Sequence, residues 1–286
     1  MDVSQDYQLD RKQLIAAFNR AATSYDQAAV LQHEVGNRLL ERLGGIQLHP
    51  QYILDLGAGT GRCTFALKKT FKRVQVIAVD IAVNMLRQAQ KRQGFFSKIL
   101  CVNGCAENLP LKTHSIDVVF SNLSLQWTDS LEQVFLEVKR VLKPKGLFLF
   151  TTFGIDTLKE LRQSWATVDR AVHVNAFYDM HIIGDLLLHH GFKLPVMDME
   201  LFTLTYPDVY QLMGELKAIG AHNVTQGRSK CVTGRLKIKA MVAAYEQFRR
   251  DGLVPATYEV IYGHAYGAAL VEKNTAPTSV KVSFDK

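Results

Sequence analysis

No stretch of this 286-residue chain stays apolar for the roughly 18 residues that a membrane helix needs. Its start, MDVSQDYQLDRKQ, also lacks the apolar segment of a secretory signal. Those absences predict a cytoplasmic protein with no membrane partner. Cysteine is scarce: Cys63, Cys101, Cys105 and Cys231 have neither metal-ligand spacing nor a disulfide framework. Reduced thiols and no bound metal are expected. Acids are outnumbered, 27 against 34 lysines and arginines, for a formal net charge of +7. That sign suits an acidic partner, but no RNA- or DNA-binding motif is present and nucleic acid is not expected. Repeats and low-complexity segments are missing too. Apolar residues are not scarce. At 48% of the chain, they suffice for one large α/β domain or a domain with an insertion.

The chain is organised around residues 52–61, YILDLGAGTG. An apolar run ends in Gly57, Gly59 and Gly61, and helical spacing follows at Phe65, Leu67 and Phe71. This reads as buried strand, glycine turn and helix start. The third glycine comes two residues after the second, where a dinucleotide fingerprint has it three after. Asp55 precedes the glycines, a poor position for an acid facing a pyrophosphate but a good one for a cation. S-adenosylmethionine (SAM) carries a sulfonium and an ammonium, and no phosphate. A second strand over residues 74–80 ends in Asp80, placed to accept both ribose hydroxyls. Met85, in the next helix, is placed to reach the adenine.

Upstream, Leu14, Ala17, Phe18, Leu31, Val35, Leu39 and Leu43 mark helices. The Tyr25-Asp26 pair between them reads either as a lid over the cofactor or as a helix start capped by Asp26. Downstream, strands are expected over residues 99–102, 116–121 and 147–153, with a helix over 131–142. The alternation across residues 52–153 predicts a parallel, three-layered α/β sheet. Helices follow over 158–172, 182–190 and 207–219, the last with Pro207 in its first turn. Strands are expected over 197–205 and 256–266. Residues 225–250 hold seven basic residues (Arg228, Lys230, Arg235, Lys237, Lys239, Arg249 and Arg250) against one acid, Glu246. This is either a solvated helix face or a docking site for an acidic partner. Residues 269–286 read as a tail.

ILDLGAGTG, the strand-ending Asp80, AENLP, IDVVFSN and RVLKPKG together resemble the class I SAM-dependent methyltransferases. FNRAATSYDQAAVLQ, SNLSLQW, TFGIDTLKELRQSW, HVNAF, LKAIGAHNVTQGR and PATYEVIYGHAYG resemble a narrower group, the malonyl-acyl carrier protein O-methyltransferases of biotin synthesis. The resemblance implies a doubly wound, mostly parallel seven-stranded sheet with N-terminal lid helices (1–45), a SAM-binding core (46–154), and remaining strands with a helical insertion (155–268). It implies methyl transfer from SAM to the free carboxylate of malonyl-acyl carrier protein, an acidic partner. By the same resemblance, Gly57, Gly59 and Gly61 underlie the methionine part of SAM, with Asp55 near its ammonium. Asp80 and Ile81 lie at the ribose, and Met85, Cys105, Ala106 and Glu107 around the adenine. Asn122 and Leu123 flank the cofactor, and Tyr25 closes over it. Two departures stand out: Ala58 where many relatives have Cys, and Cys105 where relatives usually have an Asp that accepts from the adenine amino group.

The malonyl carboxyl is already ionised near neutral pH, so no general base is required. An arginine fork is expected to orient it, with Arg162, Arg170, Arg228 and Arg235 as candidates. His173 reads as a substrate contact or a structural hydrogen bond. Competing readings are a methyltransferase for another small carboxylic acid or a quinone precursor, and a non-catalytic assembly factor that retains the fold.

Overall fold

The computed structural model describes residues 8–94, 98–221, 223–225 and 234–268. The expected tail and Arg228 lie outside them. Three helices come first: α1 (Arg11–Ala21), the single turn α2 (Tyr25–Ala28) and α3 (Val30–Gly44). Alternating strands and helices follow: β1 (Tyr52–Leu56), α4 (Arg62–Thr70), β2 (Gln75–Asp80), α5 (Val83–Lys91), β3 (Leu100–Asn103), β4 (Ile116–Ser121), α6 (Leu131–Val141) and β5 (Leu142–Phe153). The second half contributes α7 (Lys159–Ala166), α8 (Met180–His189), β6 (Lys193–Tyr206), α9 (Val209–Ala218), α10 (Arg235–Tyr245) and β7 (Val254–Tyr266).

The strands form one seven-stranded sheet in the order β3-β2-β1-β4-β5-β7-β6. β1 to β5 are parallel, and only β7 runs against its neighbours, pairing with β5 and β6. Apolar runs such as Ile53, Leu54 and Leu56 are buried on both faces, as a parallel sheet covered on each side requires. One core lies beneath α3, α4 and α5, where Leu39, Leu67 and Leu86 meet Val76 and Phe120. The other lies under α6 and α8, where Phe135 and Leu187 pack on Phe148 and Phe150. The strand order reverses at β1 and β4. The crevice beyond their carboxyl ends is where ligands of open α/β sheets bind.

Several expected boundaries shift for local reasons. The helix expected over 158–172 ends at Ala166, because the Asp169 carboxylate accepts from the Ala171 N–H and offers the chain a turn instead. Asp208, whose side chain accepts from the Gln211 N–H, caps α9, so Pro207 precedes the helix rather than opening it. Neither does Asp26 cap a helix: it lies inside α2, and its carboxylate accepts from Thr60 Oγ1 at 2.6 Å and pairs with Arg92. The N-terminal helices are thereby tied to the glycine turn. β5 begins at Leu142, earlier than the expected 147, and reaches Leu147 through a shift in its register with β4.

Candidate active site

The glycine turn joins β1 to α4, and its three glycines all have positive φ, 72° at Gly57, 55° at Gly59 and 83° at Gly61. Their reasons differ. A Cβ on Gly57 would lie 2.2 Å from the Ser124 Cβ, and one on Gly61 would lie 2.7 Å from the Ala89 Cβ. Those two allow close packing. A Cβ on Gly59 would meet nothing within 4 Å, so this backbone faces open space.

That space is a cavity of about 730 Å³. Gly57, Gly59, Asp80, Ile81, Met85, Ala106, Glu107, Asn122, Leu123 and Tyr25 all line it. The sequence-predicted cofactor residues are thus largely brought together. Gly61 and Cys105 are not in its wall. Asp55 lines a smaller recess next to it, together with His33, Arg62 and Gly59. That recess offers charges of both signs, as the amino-acid end of SAM requires. An open glycine backbone, a strand-ending carboxylate and an apolar bed under Met85 therefore fit the expected cofactor.

Asp80 is held in place by its neighbours: Oδ2 accepts from the Gly59 N–H and Oδ1 from the Ala82 N–H, each at 2.8 Å. Burial raises its pKa to about 6, against those two bonds. Burial likewise raises Asp55 to about 7, opposed by the Thr64 hydroxyl at 2.5 Å and reinforced by the nearby Asp80 charge. Both carboxylates are poised to gain from a cation. Burial also pushes the Tyr25 phenol well above its ordinary value, with Asp80 adding to the effect, so it keeps its proton. Leu123 sits at φ +47°, unusual for leucine, with its N–H donating to Thr151 Oγ1 at 2.9 Å. Asn122 is fixed by donating to the Gln32 carbonyl and accepting from Thr151 Oγ1.

Sequence reasoning missed the α1 contribution. Leu14 and Phe18 line the cofactor cavity with Trp127, and Phe18 meets Trp127 edge-on at 5.3 Å. Arg11 donates to Glu107 at 2.6 Å and to Asp129 at 3.1 Å, and its other nitrogen reaches Cys105 Sγ at 3.2 Å. Cys105 in turn donates to Glu107 at 2.6 Å. This thiol therefore serves the Arg11–Glu107 clasp, and the missing Asp is not replaced in the cavity wall. Arg11 is followed by helical periodicity, but nothing in the sequence pairs it with a loop almost a hundred residues away.

A second cavity, about 710 Å³, adjoins the first and shares Phe18, Tyr25, Leu123 and Trp127 with it. Its further lining includes Gln126, Phe153, His173, Asn175, Phe177 and Tyr258. Among the described residues no Arg, Lys, Asp or Glu lines it. Of the arginines expected there, Arg162, Arg170 and Arg235 are not in its wall, and Arg228 lies outside the described residues. Arg162 donates to the Ile155 and Thr157 carbonyls at 2.9 Å and lines a third, outer cavity together with Arg170. Arg235 is exposed at the start of α10. His173 lines both the second and the outer cavity, but it also stacks on Trp165 at 3.7 Å and bonds Asp169 at 2.7 Å. Among the described residues no group of three or more His, Cys, Asp and Glu is arranged to hold a metal, and no helix is long and apolar enough to cross a membrane.

Residues 54–150 match the family described as Methyltransferase domain. The YcgJ protein of Bacillus subtilis shares the fold, with a TM-score of 0.57, 15% identity, and 80% of this chain and 97% of that one covered. Haemonchus contortus phosphoethanolamine N-methyltransferase 2, solved with S-adenosyl-L-methionine, aligns with a TM-score of 0.52 and 18% identity, covering 87% of this chain and 57% of that one. The malonyl-acyl carrier protein O-methyltransferase of Gallionella capsiferriformans (strain ES-2) is 46% identical, with 98% of both chains covered. The enzyme of that name from Methylovorus sp. (strain MP688) is 48% identical, covering 91% of this chain and 90% of its own. On that near-full-length similarity, the chain belongs to the malonyl-acyl carrier protein O-methyltransferase family.

Proposed function

We propose that this protein is a SAM-dependent O-methyltransferase that converts the free carboxylate of malonyl-acyl carrier protein to its methyl ester, an early step of biotin synthesis. Near-full-length similarity to enzymes of that name carries the reading. The site supports it: a cavity lined by Asp80, with the Asp55 recess next to it, opens beside one whose described wall carries no Arg, Lys, Asp or Glu.

When bound, SAM supplies a methyl group on a cationic sulfur. Gly59, Asp80 and Met85 would hold its nucleoside, and the recess of Asp55, His33 and Arg62 its amino-acid end. The acceptor carboxylate arrives ionised, so no residue has to remove a proton. The chain's work is alignment and exclusion of water, which together contribute several kcal/mol. Phe18, Leu123, Trp127 and Phe153 supply the dry wall. Tyr25 stands where the two cavities meet and retains its proton, so its hydroxyl can donate to the carboxylate without adding charge. The absence of charge among the described residues of that wall suits a reaction in which anion and cation cancel, because the separated ions lose more solvation than the transition state does.

The carrier would dock on the exposed basic face of α10, where Arg235, Lys237 and Lys239 stand in solvent. Lys237 also pairs with Asp169 at 2.7 Å, joining that face to the rim of the outer cavity. The test is transfer of labelled methyl from SAM to malonyl carrier protein. The label should be lost as methanol on mild alkaline hydrolysis, as an ester requires. Absence of labelled product, or label resistant to hydrolysis, would contradict the proposal.

A further inference from the structure

The segment between α7 and α8 carries a buried amide with an unmet need. Asn175 is 7% exposed, and among the described residues its Oδ1 has no hydrogen-bond partner. A buried acceptor left unpaired is costly, and folded proteins seldom retain one without a use. Asn175 also stands where three cavities meet: the acceptor cavity, the outer cavity of about 1030 Å³, and a recess behind Phe177. It is not in the wall of the cofactor cavity.

Its surroundings hold it there. His173, two residues before, is stacked on Trp165 and bonded to Asp169, and Asp169 is tied to α10 through Lys237. Asn223 donates to the Val172 carbonyl from the opposite side. The amide is thus fixed at the boundary between the outer cavity and the acceptor cavity. It lines both cavities, together with His173, Val174 and Phe177.

Resting on the malonyl-carrier reading above, we propose that Asn175 binds the first amide of the carrier's thioester arm. In such an arm the sulfur is followed by two methylenes and a secondary amide. The malonyl carboxylate belongs at the meeting of the cofactor and acceptor cavities, near Tyr25 and Leu123. The thioester then extends away from the cofactor, and the arm's N–H comes to the far wall. The unpaired Oδ1 accepts from that N–H. A secondary amide offers both a donor and an acceptor, so it complements the Asn175 carboxamide in either orientation of its O and N atoms. The outer cavity, rimmed by Arg162 and Arg170, leads the rest of the arm to the basic face of α10. Asn175 is therefore a substrate-positioning residue and makes no contact with the transferred methyl.

The test compares two small malonyl thioesters. Malonyl-N-acetylcysteamine contains the amide, and the S-ethyl malonyl thioester ends where it would begin. The wild type should prefer the amide-bearing thioester by about 10- to 100-fold in kcat/KM, the size expected from satisfying one buried polar group. Asn175→Ala should erase that preference by slowing only the amide-bearing thioester, and the near-isosteric Asn175→Leu should do the same. SAM affinity measured by calorimetry should stay unchanged in both. Equal loss on the two thioesters would make Asn175 a structural residue and overturn the inference. So would a wild type that does not distinguish them, even if the variants fail to fold. A wild type that methylates neither thioester nor malonyl carrier protein would instead overturn the parent reading, and this inference with it.

Discussion

The cofactor cavity and the acceptor cavity share four side chains, yet they are built in opposite ways. The first is assembled mainly from strand ends and the turns after them, with glycine backbone and the Asp80 and Glu107 carboxylates in its wall. The second draws on the N-terminal helices, the loop after β4, the segment between α7 and α8, and strand β7, and its described wall has amides, aromatics and no formal charge. On the proposed function, the first would hold a cation by charge, and the second an anion by shape and the neutral donors of its described wall, with Arg162 and Arg170 in the adjoining outer cavity.

The comparison breaks most severely at the glycine turn. Gly57→Ala would place a Cβ against Ser124 and force alanine to φ +72°. Overpacking and left-handed strain together should cost about 2–4 kcal/mol of stability, read by chemical denaturation. An unchanged midpoint would mean that Ser124 gives way freely. Next is Asp80→Ala, which removes the proposed ribose acceptor and two backbone bonds, and should weaken SAM binding by about 1–3 kcal/mol in calorimetry. It should leave acceptor discrimination among the methylated products unaltered if the two cavities act separately.

A pH titration sharpens the charge side of the contrast. Asp55 and Asp80 have folded values raised from 3.8 to about 7 and about 6. Their contribution to stability is therefore complete below pH 3.8 and is lost as pH climbs through the raised values. A cationic ligand favours the ionised forms, so SAM affinity should rise with pH across the same window, with protons released on binding. Calorimetry in buffers of different ionisation enthalpy reads that release; affinity independent of pH from 5 to about 8 would remove the two acids from cation binding.

The smallest expected effects lie at the rim and the clasp. Arg162→Ala and Arg170→Ala should raise KM for the carrier protein and spare a small malonyl thioester. A steep loss with the small thioester would restore an arginine to the acceptor site. Arg11→Ala opens a half-exposed ion pair and should cost no more than about 1 kcal/mol of stability, visible as a small decrease in Tm.

How far each cavity could be read in the sequence follows from the same contrast. The cofactor site lies in short contiguous pieces, YILDLGAGTG and the strand ending at Asp80, because a parallel sheet puts successive strand ends along one edge. Local spacing therefore announced Gly59, Asp80 and Met85. Gly61 belongs to that motif but serves packing against Ala89, a purpose that spacing alone does not separate from ligand contact. The acceptor wall joins Phe18, Leu123, Asn175 and Tyr258, and no periodicity links such distant positions. The expectation of an arginine inside it came from the charge of the substrate. Arg162 is well placed in sequence, but two of its donors go to the Ile155 and Thr157 carbonyls and it lines the outer cavity instead.

The account rests finally on a free carboxylate accepting the methyl group in a pocket whose described wall has no formal charge. Malonyl and acetyl carrier proteins, presented side by side with methyl-labelled SAM and followed by mass spectrometry of the acyl arm, test it most directly. The account predicts one added methyl on the malonyl arm, none on the acetyl arm, and competitive inhibition by the acetyl carrier. Methylation of the acetyl carrier, or an unmodified malonyl arm with SAM bound, would contradict it.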